Sequence, residues 1–247
     1  MKNIKDWQPS KYTIKDGKIF PTKDTGELGV GSRLIASLMA RRYQEAIPKY
    51  CHGRLLDLGC GKAPFYGAYK DYVTSVDLVD WENGLHKNPC IDFFVDLSGP
   101  LPLTSCSYDT VILSDVLEHI PDPEQLLDEI YRILSKGGYL LLNVPFIYGI
   151  HEAPHDYYRY TGYALERLAV LSGFRVETLE PLGGSIEVLA DILCKNIHFL
   201  HIPGLGRIFI ILIQNLAGWI PSTALFKGPA KKTAKIFPLG YFMVLRK

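Results

Sequence analysis

The sequence feature that most constrains the fold is a regular alternation of strand-like and helix-like segments through the middle of the chain. The strand-like runs are mostly apolar at consecutive positions, which is typical of parallel strands covered by helices on both faces. Strands that alternate with helices predict a doubly wound α/β sheet with right-handed crossovers. The predicted strands are residues 54–58, 72–78, 91–97, 108–114, 139–144 and 174–179.

The helix between the fourth and fifth predicted strands has the clearest start and stop signals. Asp122 can cap its first turn, which Pro123 suits, and Gln125 completes a pair that resembles a capping box. Gly137 and Gly138 are expected to end this helix.

Composition and charge limit the class of protein. The 247 residues include 47% hydrophobic ones, so the chain can bury a sizeable core. A formal charge of +1 argues against a DNA partner held mainly by counterion release. The five Cys form no CxxC pair, which disfavours disulfides and thiolate zinc sites and indicates a reducing cytosol. The first residues lack the apolar run of a signal peptide.

The chain is expected to divide into four parts. The arm at its start includes Asp16 and Gly17, which indicate a short hairpin. The four parts are an N-terminal helical arm at 1–50, the α/β core at 51–180, an apolar helical insertion at 181–236 and a closing strand of the core at 237–247.

The insertion is the most distinctive part of the sequence. Its first predicted helix, residues 186–200, has one charged stripe, made by Glu187, Asp191, Lys195 and His198. Between Pro203 and Pro221 only Arg207 is charged, but these 17 residues fall short of the ~20 that span a bilayer. We expect the insertion to pack inward as a lid over the ligand pocket. The alternative is an outward apolar patch, flanked by a lysine-rich turn, that touches a membrane surface.

A glycine turn directly follows the first predicted strand. Gly59 and Gly61 let the backbone bend sharply and let a ligand approach without a Cβ in the way. In an open α/β sheet, ligands bind at this edge, where the strands end. Asp57, Asp77 and Asp96 stand at the ends of the first three predicted strands. We therefore expect their carboxylates to face one crevice and to surround a single ligand.

Two kinds of ligand compete for this crevice. A nicotinamide dinucleotide also uses a glycine turn and an acid about 20 residues further on. However, Pro64 stands where the third glycine of that motif belongs, and Asp57 would repel a pyrophosphate. An adenosine ligand with a cationic, amine-bearing tail fits better, and Asp77 could accept both hydroxyls of its ribose.

Several segments together resemble the class I S-adenosylmethionine-dependent methyltransferases. They are LLDLGCG, SVDL, DFFVDL and YDTVILSDVLEHIPDPEQLLDEIYRILSKGGYLLLNVP, within residues 53–180, and the final GYFMVLRK. The resemblance implies a Rossmann-like seven-stranded sheet whose last strand, residues 240–246, runs antiparallel. It also implies S-adenosylmethionine as the cofactor. The implied cofactor-binding residues are Asp57, Gly59, Cys60, Gly61, Asp77, Leu78, Asp96, Leu97, Ser114 and Asp115.

Candidate bases lie in the long connection after the fifth strand, residues 146–160. Methyl transfer is an in-line displacement, so the protein mainly positions donor and acceptor and excludes water. A base is needed only if the acceptor is a hydroxyl that must lose its proton. We prefer His155, because Asp156 and Arg159 beside it can orient its ring. His151 and His119 are the other candidates.

A metal offers an alternative interpretation of the turn after the fourth strand. Asp115, Glu118 and His119 are spaced to face one side of a helical turn. With His155, this spacing resembles the cluster of metal-assisted O-methyltransferases that act on quinone precursors or on RNA ends. There a hard cation such as magnesium draws the acceptor hydroxyls into place. The first acid here is Asp rather than Glu, and the preferred site contains no metal.

These patterns predict an S-adenosylmethionine-dependent methyltransferase that forms an O-methyl product on a small molecule, a glycan or a lipid-linked precursor of bacterial type. The other candidates are the metal-assisted O-methyltransferase, a methyltransferase-like binding protein without turnover, and a nucleotide-dependent oxidoreductase. A cytoplasmic location is expected, with peripheral membrane contact as a variant of it. The acceptor and the oligomeric state are left open.

Overall fold

The computed structural model describes residues 4–84, 88–199 and 205–247, without the side chains of residues 198 and 199. Two features of the predicted insertion, the His198 side chain and Pro203, lie outside the described residues. The strands are β1 Tyr12–Lys15, β2 Lys18–Pro21, β3 Arg54–Leu58, β4 Ser75–Asp80, β5 Phe93–Phe94, β6 Tyr108–Ser114, β7 Leu134–Pro145, β8 Arg175–Leu182 and β9 Gly240–Arg246. The helices are α1 Arg33–Tyr50, α2 Tyr66–Tyr69, α3 Pro123–Ile133, α4 Gly162–Leu171, α5 Ser185–Phe199, α6 Leu205–Trp219 and α7 Lys227–Ala234.

Seven strands form the central sheet, in the order β5-β4-β3-β6-β7-β9-β8. The pairs from β5 to β7 are parallel, and β9 lies antiparallel between β7 and β8. The predicted Rossmann-like fold with an antiparallel last strand is therefore confirmed. The chain runs outward from β3 to β5 and then returns to β6 on the other side of β3. The strand order thus reverses at β3, which is where an open α/β sheet binds its ligand.

Two hydrophobic layers cover the sheet, because successive residues of each strand point to opposite faces. Leu56 of β3 packs in the layer that contains the buried stripe of α3. Leu55 packs in the other layer, with Met39 and Tyr43 of α1. The predicted N-cap of α3 is present, since Asp122 Oδ1 accepts a hydrogen bond from the Gln125 backbone N–H at 3.1 Å.

Several predicted boundaries are wrong, among them those of β4, β5, α3, β7 and β8. β4 begins three residues later than predicted and continues through Val79, which is fully buried, to Asp80. β5 has only two residues, because it pairs at the sheet edge with the last two residues of β4. α3 ends at Ile133, and the two glycines expected to end it lie within β7.

The N-terminal arm folds over the carboxyl edge of the sheet. β1 and β2 form the predicted hairpin, and both turn residues, Asp16 and Gly17, have positive φ as this tight turn requires. Tyr12 stacks on Phe65 with ring centroids 4.6 Å apart. Lys11 Nζ lies 3.1 Å from Asp115 Oδ2, at the end of β6. The arm therefore covers the crevice that the strand ends form.

The insertion packs elsewhere. α5 and α6 lie against α1 and against the turn that precedes it. Gln214 of α6 anchors this packing, since its Nε2 donates hydrogen bonds to the carbonyl oxygens of Val30 and Gly31, both at 2.8 Å.

Candidate functional site

A cavity of about 960 Å³ lies at the carboxyl edge of the sheet. Its wall consists of the loops after β3, β4, β5 and β6, the arm, α1 and the connection after β7. Among residues 181–199 and 205–236, none lines the cavity. The described residues of the insertion therefore do not form the expected lid, and the N-terminal arm covers the cavity instead. Ligand pockets commonly measure 300–1,000 Å³, so this cavity has room for a cofactor and an acceptor together.

The predicted glycine turn forms one wall of the cavity, through Gly59, Cys60 and Gly61. Gly59 has a φ of +70°, and a Cβ there would lie 2.6 Å from a methyl group of Val116. The backbone N–H groups of Gly59 and Cys60 both donate to the Val79 carbonyl oxygen, which holds the turn against β4. The turn needs glycine both for its backbone angle and for the close approach of Val116.

Two of the three expected acids are not in the cavity. Asp57 is buried behind the glycine turn, where its Oδ2 accepts a hydrogen bond from the Tyr69 hydroxyl at 2.7 Å. Burial raises the pKa of Asp57 to about 7. Asp77 lies in the middle of β4 and accepts hydrogen bonds from Arg54 and from the Tyr108 hydroxyl, at the starts of β3 and β6. The prediction that three aspartates surround one ligand is therefore wrong for Asp57 and Asp77.

Asp80 takes the position that was expected of Asp77. It ends β4 and lines the cavity beside Trp81. The sequence contained a signal that the strand continues to Asp80, because Leu78 and Val79 are apolar and extend the strand-like run. Leu78 itself is fully buried in the core, so its predicted contact with the cofactor is wrong. Asp96 and Leu97 line the cavity as expected.

The end of β6 brings Ser114 and Asp115 into the wall, as predicted. Asp115 has a φ of +54°, an unusual backbone angle for a residue other than glycine. Two hydrogen-bonding partners hold its carboxylate, Lys11 on one oxygen and the Asn143 amide at 2.6 Å on the other. Asn143 is fixed in turn by the buried Tyr43 hydroxyl at 2.8 Å. This chain of contacts links the arm to the sheet.

A buried glutamate lies between two of the candidate histidines. Glu118 is fully buried, and its Oε1 lies 3.6 Å from His151 Nε2 and 3.8 Å from His119 Nε2. Neither carboxylate oxygen of Glu118 accepts a hydrogen bond from the residues that the structure describes. Burial raises the pKa of Glu118, and the nearby Glu118 carboxylate raises the pKa of His151. Both histidines line the cavity.

The expected orienting pair serves His151 and not His155. Asp156 Oδ2 accepts a hydrogen bond from the His151 backbone N–H at 2.9 Å and lies 3.4 Å from His151 Nδ1. Arg159 donates hydrogen bonds to both carboxylate oxygens of Asp156, and this holds the pKa of Asp156 well below its usual range. His155 lines the cavity but is exposed, and its Nδ1 lies 3.0 Å from the Tyr157 hydroxyl.

The residues that could hold a metal differ from the predicted set. Glu118, His119 and His151 each offer one ligand atom, and these atoms all lie within 4.8 Å of one another. Asp115 is occupied by Lys11 and Asn143, and His155 contributes only its carbonyl oxygen, 2.7 Å from His119 Nδ1. The cluster therefore contains Glu118 and His119 from the predicted set and His151 in place of His155.

Part of the chain is similar in sequence to known proteins, several of them methyltransferases. A curated protein of Streptomyces fradiae, an uncharacterized 37.1 kDa protein in a transposon, is 27% identical over 197 residues, which are 67% of this chain and 57% of that protein. A probable S-adenosylmethionine-dependent methyltransferase of Mycolicibacterium smegmatis is 29% identical over 132 residues, 49% of this chain and 51% of that protein. A ubiquinone biosynthesis O-methyltransferase of Xylella fastidiosa is 29% identical over 103 residues, 36% of this chain and 41% of that protein. The chain thus spans about half the length of the curated relatives it matches.

Solved structures show the same fold. An S-adenosylmethionine-dependent methyltransferase of Mesorhizobium loti superposes with a TM-score of 0.55 at 16% identity, over 87% of this chain and all of that one. A phosphoethanolamine N-methyltransferase of Haemonchus contortus, solved with S-adenosylhomocysteine, superposes with a TM-score of 0.51 at 20% identity, over 85% of this chain and 52% of that one. The family model described as a methyltransferase domain matches residues 32–182, more than half of the sequence. Together with the glycine turn and the strand order, this match shows that the chain belongs to the class I S-adenosylmethionine-dependent methyltransferases.

Proposed function

We propose that the chain transfers the methyl group of S-adenosylmethionine to a hydroxyl group of a small molecule, a glycan or a lipid-linked precursor. The observation that carries the choice of a hydroxyl is the buried carboxylate of Glu118 beside His151 in the cavity wall. A hydroxyl must lose its proton during transfer, and a histidine supported by a carboxylate is suited to take it. The similarity to a ubiquinone biosynthesis O-methyltransferase points in the same direction.

Different residues of the cavity wall are suited to bind the methionine, ribose and adenine parts of the cofactor. The glycine turn lets the methionine portion approach the backbone closely. Asp80, at the end of β4, is the acid that we assign to the two ribose hydroxyls. Asp96 and Leu97, next along the edge, frame the adenine. Carboxylates also favour a cationic sulfonium ligand over an anionic one, because opposite charges attract across a partly enclosed site.

The remaining wall provides the proton acceptor. His151 lines the cavity, so an acceptor hydroxyl bound there can approach its ring, while the buried Glu118 lies behind it. As the oxygen attacks the methyl carbon, the carbon–sulfur bond breaks in line, the carbon–oxygen bond forms, and the proton passes to His151. The products are the methyl ether and S-adenosylhomocysteine. Glu118 stabilises the imidazolium, and Asp156, held by Arg159, orients the ring.

The pH dependence of methyl transfer should reflect the contact between Glu118 and His151. Glu118 raises the pKa of His151 above its usual 6.5, and a base acts only when it is unprotonated. We expect kcat/KM to rise with pH through a midpoint above 6.5. In a Glu118→Gln variant the negative charge is lost, so the midpoint should move to lower pH while maximal turnover falls. A pH–rate profile of both proteins checks this, and an unmoved midpoint would exclude Glu118 as the partner of the base.

A metal-assisted transfer is the second candidate, and the Glu118, His119 and His151 cluster favours it. His119 Nδ1 lies 2.7 Å from a carbonyl oxygen, an arrangement that leaves Nε2 available as a ligand. Two nitrogens and one carboxylate suit Zn²⁺ or Fe²⁺ better than Mg²⁺. Such an ion would supply Lewis-acid activation of the acceptor oxygen. If it operates, chelator dialysis should abolish turnover and one added divalent ion should restore it.

The test of the proposed function is methyl transfer from labelled S-adenosylmethionine to panels of phenolic quinone precursors, glycans and lipid extracts. A labelled product whose methyl group sits on oxygen is expected, with equal rates before and after treatment with a chelator. Methylation on nitrogen or carbon would contradict the proposal. Chelator-sensitive O-methylation would replace the base mechanism by the metal one.

A further inference from the structure

α5 and α6, two helices that pack against each other, both expose large apolar side chains. The large side chains of α6 that are at least half exposed recur at helical spacing and are Leu205, Ile208, Phe209, Leu212, Leu216 and Trp219. Those of α5 are Leu189, Ile192 and Leu193. Most of these side chains are half exposed or more. We call these nine residues the apolar surface.

The exposure of α6 is unusual for so apolar a helix. A helix that is apolar on all sides is normally buried, yet α6 buries only one side against the body, through residues such as Ile210 and Ala217. Large exposed apolar patches mark sites of interaction. The surface is also separate from the cavity, because none of its nine residues lines it.

Charge identifies the kind of partner. Residues 192–247 contain eight of the 27 Lys and Arg residues and none of the 26 Asp and Glu residues. The rest of the chain is therefore acidic, although the total charge is +1. The four lysines of the segment around α7, which packs against α5, are all exposed; they are Lys227, Lys231, Lys232 and Lys235. A second copy of this surface would bring like charges together, whereas an anionic partner with an apolar interior satisfies both features.

The dimensions favour a helix that lies on a bilayer over one that crosses it. The segment Leu205–Ser222 is long and apolar enough to be a candidate span by length and composition. However, the 15 residues of α6 extend roughly 22 Å, less than the ~30 Å of a hydrocarbon core. The hydrogen bonds of Gln214 to Val30 and Gly31 also hold α6 on the protein body. Trp219, at its end, suits the interfacial region of a membrane.

We propose that the apolar surface and the adjacent lysines dock this protein onto an anionic lipid bilayer, with α6 lying in the plane of the interface. The proposal goes beyond the methyl transfer and does not depend on it. Docking would bring the protein to the membrane surface, where lipid-linked acceptors are found. It is a peripheral mode of binding that combines buried apolar area with electrostatic attraction.

Flotation of the 247-residue chain with vesicles tests the proposal. The protein should float with phosphatidylglycerol-containing vesicles and much less with pure phosphatidylcholine vesicles. Lys231→Ala/Lys232→Ala should weaken binding about 30-fold, and Phe209→Ala/Leu212→Ala at least about tenfold. The matched controls, Lys70→Ala/Lys136→Ala and Val170→Ala/Leu171→Ala, replace residues that are exposed elsewhere on the chain and should bind like the parent protein.

Cofactor affinity keeps this test separate from the catalytic one. All four variants should bind S-adenosylhomocysteine like the parent protein in calorimetry, since none touches the cavity. Absence of flotation, or equal flotation with both vesicle types, would overturn the proposal. So would a concentration-dependent dimer that the Phe209→Ala/Leu212→Ala change disrupts, because the apolar surface would then be an interface between two copies.

Discussion

Replacing Asp80 with alanine is expected to weaken the binding of S-adenosylmethionine by about 100-fold or more. The assigned role of Asp80 is to accept both ribose hydroxyls, and hydrogen bonds to a charged group contribute about 1.5–3 kcal/mol each. Isothermal titration calorimetry with S-adenosylmethionine and with S-adenosylhomocysteine measures the loss directly. Because the side chain stands in the cavity wall at the end of β4, the fold should tolerate the change.

Asp77→Ala is the matched control, since both aspartates lie on β4 three residues apart. Asp77 contacts Arg54 and Tyr108 and does not line the cavity. Its loss should lower the free energy of unfolding by about 1 kcal/mol, mainly because the Tyr108 hydroxyl loses its acceptor, and should leave cofactor affinity unchanged. If Asp77→Ala weakens cofactor binding more than Asp80→Ala, the assignment of the ribose site is wrong.

A His151→Gln variant should lose turnover by about 10²–10⁴-fold, the usual contribution of a general base. Glutamine is a polar side chain of similar size, and the backbone N–H at this position can still donate its hydrogen bond to Asp156. However, glutamine cannot take up a proton. Cofactor affinity should change little, because the ring is assigned to the acceptor side of the cavity. The measurement is the initial rate of methyl transfer at saturating cofactor, together with calorimetry.

Two other histidines make this result specific. His52→Gln, outside the cavity, should retain full turnover. His155→Gln should lower turnover only a few-fold, because that exposed ring contacts Tyr157 and has no carboxylate partner in the described part of the chain. A larger loss in His155→Gln than in His151→Gln would return the role of base to His155.

The fold could be predicted from the sequence because its signals are local. The spacing of apolar residues, the cap at Asp122 and the hairpin turn at Asp16 and Gly17 are each determined within a few residues, and each agrees with the structure. The glycine turn is of the same kind, since positive φ and the absence of a Cβ are properties of the residue itself. The predicted edge of the sheet was therefore correct.

The side chains that face the cavity could not be assigned with the same accuracy. Period-two alternation means that a shift in a strand end changes which acid reaches the edge. The three-residue extension of β4 past Asp77 moved Asp80 into the site. The prediction for Asp57 was wrong for a different reason. The direction of the Asp57 side chain depends on the packing of Tyr69, which is twelve residues away in the chain.

The sequence alone therefore determined the α/β sheet, its antiparallel last strand, the glycine turn and the family. Only the tertiary structure decided that Asp80 ends β4, that Glu118 meets His151 and that the arm, and not the described part of the insertion, covers the cavity. The physical reason is the range of the interactions. Backbone geometry and hydrophobic periodicity act between neighbours in the chain, whereas Glu118 and His151 are 33 residues apart and meet only when two loops pack together at one edge of the sheet.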